Sequence, residues 1–120
     1  MKENGIREKS MQFAIQIVNL YKNLSKTKKE FVMSKQILKA GTSIGANLAE
    51  AKCSISRKEF LAKTYIAFKE CSETKFWLEL LLKTEYINKE DYASISADCD
   101  EIYRILSSIT KTIRLEKVRS

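Results

Sequence analysis

Apolar residues recur along this chain at steps of three and four, the spacing that lines one face of an α-helix. Phe13, Ile17, Leu20, Tyr21 and Leu24 form the first stripe, widened by Ala14 and Val18, and predict an amphipathic helix over 8–24. The run Ser25-Lys-Thr-Lys-Lys breaks it. Thr27 with Glu30 has the spacing of a capping box and predicts a second helix over 28–53, with Ile37, Ile44, Leu48 and Ala51 as its stripe. Ser56 and Glu59 repeat the box, and Ile55 with Phe60 suits a hydrophobic staple, so a third helix is expected over 57–83. Asn88 is a good N-cap, followed by acidic residues that favour the positive end of a helix dipole. The fourth helix, over 89–115, carries Tyr92, Ile95, Cys99, Ile102, Leu106, Ile109 and Ile113. Short connections between four such helices imply antiparallel neighbours, hence a single all-α domain over 1–120, an up-down-up-down four-helix bundle.

The third helix is apolar nearly all round. Phe60, Ala67, Cys71 and Leu78 share one face, Leu61, Tyr65, Phe68 and Phe76 a second, and Ile66, Trp77 and Leu80 a third. A helix of this kind needs cover on more than one side, so Ile66, Trp77 and Leu80 are the candidate interface of a homo-oligomer. The alternative is that Trp77 covers a loop or stands half exposed in a monomer.

Composition narrows the chemistry. The chain has no His, which removes Ser-His and Cys-His nucleophile pairs, an imidazole base and any mixed Cys/His zinc site. It also has no Pro, as expected where almost every residue lies in a helix. Cys53, Cys71 and Cys99, 18 and 28 residues apart, form neither a disulfide framework nor a metal cluster and read as buried free thiols. No run of about 18 apolar residues and no signal-peptide core is present, so a cytoplasmic protein is expected. No catalytic residue, metal, cofactor, small-molecule substrate or membrane is called for.

The stretch Ala40-Gly41-Thr-Ser-Ile-Gly45-Ala-Asn47 lacks the strand and the Lys-Ser/Thr pair of a phosphate loop. Gly41, Gly45, Ala46 and Ala49 instead suit close helix approach. Gln36, Ser43, Asn47 and Glu50 fall within about 60° of one another on a helical wheel. This polar stripe is either a solvated face or a hydrogen-bond network that fixes helix register. Glu73, on the Trp77 face, calls for a partner on a neighbouring helix or subunit. Glu50 and Glu73 as a catalytic pair is the weaker reading, because structural carboxylates are commoner and a ferritin-like di-iron site needs His.

Net charge is +7, unevenly spread: residues 1–30 and 111–120 are basic, while 84–110 hold two Lys and Arg against six Asp and Glu. Lys22, Lys26, Lys28, Lys29 and Lys35, with Lys111, Arg114, Lys117 and Arg119, are the candidate nucleic-acid contacts. Lysines that only maintain solubility are the competing reading.

Three segments, Ser34 to Ala51 with its S-I-x-x-N-x-x-E core, Ser56-Arg-Lys-Glu-Phe60, and Lys69 to Leu81 with its E-T-x-x-W-L-x-L-L run, resemble one family. It comprises bacterial four-helix-bundle proteins named for open reading frames in intervening sequences of 23S rRNA genes. The resemblance spans almost the whole chain; Ala51 departs from it, since many relatives have Gly there. It implies an antiparallel bundle assembled as a homo-oligomer, commonly a pentameric ring with a basic surface. More distantly, the chain is similar to accessory proteins of diversity-generating retroelements, which partner a reverse transcriptase and RNA. Gln36, Ser43, Asn47, Glu50, Glu73 and Trp77 match the family motif, and no catalytic role comes with them. The expected function is a non-enzymatic scaffold binding structured RNA or a ribonucleoprotein; the alternative is a protein-interaction scaffold with no nucleic-acid ligand.

Overall fold

The computed structural model describes the backbone of residues 2–119 and the side chains of residues 5–115. Four helices pack against one another, α1 (Lys2–Lys22), α2 (Met33–Lys52), α3 (Arg57–Lys83) and α4 (Lys89–Arg119), with no strand among the described residues. The apolar stripes meet in one core: Phe13, Ile17 and Leu24 of the first segment, Ile37 and Ile44 of α2, Leu78 and Leu81 of α3, and Ile102 and Leu106 of α4 are all almost fully buried.

α1 begins earlier than the pattern from Glu8 suggests, because Ile6, two turns before Phe13, extends the stripe into the core and the buried Ser10 hydroxyl donates to the Ile6 carbonyl (2.8 Å). At its other end α1 runs into a π-helical turn, Asn23–Thr27, which keeps Leu24 buried. Reversal follows through Lys29, a non-glycine residue in the left-handed region at φ 58°.

This reversal moves the start of α2 from Lys28 to Met33. Thr27 is taken up by the π turn, so no Thr27–Glu30 box forms; instead the Glu30 carboxylate caps α2, accepting from the backbone N–H groups of Val32 (3.1 Å), Met33 (3.0 Å) and Ser34 (2.7 Å). These donors outweigh desolvation, which acts upward, and hold the Glu30 carboxyl below its ordinary pKa.

α3 begins at its anticipated cap: Ser56 Oγ accepts from Glu59 N (3.0 Å), while Glu59 Oε1 accepts from Ile55 N (2.9 Å). The anticipated staple does not form, because Ile55 is 95% exposed. At α4, Asn88 Oδ1 accepts from Asp91 N (2.7 Å).

Two of the three cysteines are buried; Cys53 is exposed, against expectation, because it follows the last turn of α2 outside the apolar stripe. Cys71 and Cys99 meet across α3 and α4 with Sγ atoms 3.7 Å apart, and their mutual hydrogen bond together with burial pushes the Cys99 thiol far above its ordinary pKa. The buried hydroxyls of Ser10, Ser34, Thr64, Thr74 and Thr110 each donate to a carbonyl four residues back, so they enter the core without partners from another helix.

Candidate nucleic-acid interface

Lys22 closes α1, Lys26 lies in the π turn, Lys28 and Lys29 form the reversal, and Lys35 is in the first turn of α2; all are exposed. None of them makes an ion pair among the described residues. The reason is local: Glu30 is the only carboxylate between Lys22 and Lys35, and its oxygens are committed to capping α2. Positive charge is therefore in excess at this turn, the carboxylates of Glu85 and Asp91 across the neighbouring groove forming no ion pair with its lysines among the described residues. Phe31 (53% exposed) and Val32 (71% exposed) lie among these lysines. The periodicity passes over both because they belong to no helical stripe, although an apolar pair directly after Lys28-Lys29-Glu30 was available as a signal.

The C-terminal basic residues are arranged otherwise. Lys111 is exposed, but Arg114 folds back onto the bundle, its guanidinium 5.0 Å from the centre of the Phe68 ring and bonded to the Ser107 carbonyl and hydroxyl. The side chains of Lys117 and Arg119 lie outside the described residues. Ile109 lines a small cavity with Ile6, Leu48 and Phe60, whereas the lysine turn borders Glu85 to Ile95; the two basic stretches thus occupy opposite ends of a molecule 44 Å long.

The polar stripe of α2 makes separate local bonds. Ser43 Oγ donates to the Lys39 carbonyl (2.6 Å) and Asn47 Nδ2 to the Ser43 carbonyl (2.8 Å), while Gln36 is exposed. Glu50 alone reaches another helix, accepting from Lys63 Nζ of α3 (2.7 Å), and this bond raises the Lys63 pKa. Glu73 accepts from Trp77 Nε1 one turn along α3 (3.0 Å). On the same helix Ile66 is exposed, Trp77 and Leu80 are half-buried, and the exposed Phe76 meets Trp77 edge-on at 5.1 Å.

Among the described residues no group of His, Cys, Asp and Glu is arranged to hold a metal ion, and no helix is long and apolar enough to cross a membrane.

A family model described as 23S rRNA-intervening sequence protein matches residues 2–108, nearly the whole bundle. The chain belongs to this family. Structural similarity agrees: a crystallised protein from Bacteroides thetaiotaomicron, described as of unknown function and from the S23 ribosomal protein family, has 57% identity and a TM-score of 0.90. The match covers 92% of this chain and 99% of that one. No curated protein matches. Of the residues that carried the resemblance, Ile44, Thr74, Leu78 and Leu81 are buried in the core, whereas Asn47, Glu50, Glu73 and Trp77 are exposed or half-buried on α2 and α3.

Proposed function

We propose that this protein is a non-enzymatic, self-associating bundle that binds structured RNA or a ribonucleoprotein in the cytoplasm. The observation that carries the reading is the lysine turn: Lys26, Lys28 and Lys29 on the connection, with Lys22 and Lys35 at the helix ends beside it, are exposed and make no ion pair among the described residues. Lysines on phosphates release condensed counterions, giving affinity that depends on salt and little on sequence. The description of the family as 23S rRNA-intervening sequence proteins is in keeping with an RNA ligand.

An up-down-up-down arrangement accords with the pairing of Phe68 with Tyr103 and Cys71 with Cys99, in which numbers rise along α3 as they fall along α4. Exposed Ile66 and half-buried Trp77 and Leu80 supply an apolar face for a second copy, and a ring, five-membered by family resemblance, would repeat the lysine turn around its axis. The second reading, a scaffold for another polypeptide, is favoured by exposed Phe31, Val32 and Phe76.

Replacing Lys26, Lys28 and Lys29 together by Ala tests the first reading. The affinity of nuclease-treated protein for a structured RNA, followed by fluorescence anisotropy from roughly 50 to 200 mM salt, should fall, and the slope of log K against log salt should flatten by up to about three, one for each lysine removed. Wild-type affinity and slope in the triple variant would overturn the lysine turn as the binding surface.

A further inference from the structure

A groove of about 950 Å3 opens between α1 and α4 beside the lysine turn. Gln16, Asn19 and Asn23, at i, i+3 and i+7, line it from α1 and the π turn, and Asn88 faces them from the start of α4. Their amides retain hydrogen-bonding capacity of both kinds. Gln16 Nε2 donates one bond to Asp98 (2.8 Å) and its oxygen is left to accept, while Asn88 Oδ1 accepts from Asp91 N (2.7 Å) and its Nδ2 is left to donate. Asn19 and Asn23 have no side-chain partner among the described residues.

The remaining walls are apolar and basic. Leu20 and Ile87 are buried beneath the groove, the half-buried Tyr86 is its one aromatic lining residue, and Lys28 and Lys89 line it as well. Glu85 and Asp91 add carboxylates. The π turn at Asn23–Thr27 borders the groove on one side, and on the other Glu85, at φ 67°, ends α3 in a left-handed cap in which Tyr86 N donates to the Leu81 carbonyl (2.9 Å). π-helical turns are frequent at functional sites.

Amide groups match the edges of a nucleobase, an aromatic ring and an apolar floor match its face, and lysines match flanking phosphates. The two carboxylates disfavour a phosphate inside the groove but accept from ribose hydroxyls and base amino groups. A base held in an RNA duplex cannot present its face to such a groove, whereas an unstacked base of a loop or single strand can. We propose that this groove seats an unpaired nucleotide of an RNA strand whose phosphates run onto the lysine turn. The inference rests on the RNA reading above and narrows its ligand to RNA with unpaired bases.

The test uses the full chain, a short single-stranded RNA carrying a fluorescent adenine analogue, and the same strand closed into a duplex, with Asn23→Ala and Tyr86→Leu as variants. Asn23 is exposed, so its truncation leaves the core intact. Wild-type protein should bind the single strand more tightly than the duplex and change the analogue's fluorescence. Tyr86→Leu should weaken single-strand binding by roughly 5- to 150-fold, the loss of one stacked base, and Asn23→Ala should weaken it several-fold, with duplex affinity unchanged in both. Equal affinity for single strand and duplex, with both variants at wild-type strength, would overturn the groove while leaving RNA binding by the lysine turn standing. Absence of binding to either RNA by the wild-type chain would overturn both.

Discussion

Gly41 and Gly45 look alike in the sequence, two small residues one helical turn apart, yet their surroundings differ. A Cβ on Gly41 would lie 2.8 and 2.9 Å from the two Cγ atoms of Ile17, itself fully buried, whereas a Cβ on Gly45 would meet Ser10 at 3.6 Å, an ordinary contact. Gly41→Ala should therefore destabilise the protein by about 1–3 kcal/mol through overpacking. Gly45→Ala should stabilise it by about 0.5–1 kcal/mol, since a helical glycine gives up more backbone freedom on folding than alanine does. Urea midpoints of the two variants check this, and shifts of the same sign would refute the distinction. The need for small residues was legible in the sequence; which of them is under compression depends on a side chain from another helix. The same limit applies to Arg114, whose charge suggested a phosphate contact but whose position allows it to fold over Phe68 and Ser107.

Among the elements, α3 was the most legible, because Ser56 and Glu59 act on backbone groups only a few residues away. The start of α2 was not. Thr27 and Glu30 have capping-box spacing, but burial of Leu24 carries the preceding helix through a π turn, and Glu30 is left to cap a helix that starts at Met33. Glu30→Ala should cost about 1 kcal/mol at neutral pH, as loss of a cap does. The folded-state carboxyl titrates below its unfolded value, so its contribution is fully present above the ordinary glutamate pKa of about 4.3 and is lost as pH falls through the lower folded-state value. The stability gap between wild type and Glu30→Ala should accordingly close on acidification below about pH 4. A gap that stays constant in denaturant titrations across that range would show that the carboxylate is not the cap.

At the scale of the whole molecule, Ile66→Glu tests whether the outer face of α3 joins one copy to another. Ile66 is 41% exposed in the single chain, so a carboxylate there leaves the core intact but would be buried in the proposed interface. Light scattering should show a lower particle mass with unchanged helical circular dichroism; an unchanged particle would remove Ile66 from the interface. By itself the sequence determined four helices, their apolar faces and an excess of positive charge, because period, caps and composition are local properties of the chain. Tertiary structure alone decided that the basic residues divide between opposite ends, that the polar residues of α2 bond separately rather than as a network, and that amides from α1 and the start of α4 share one groove. Each of these depends on which distant segments meet, and that is set by how the stripes pack together rather than by any stripe alone.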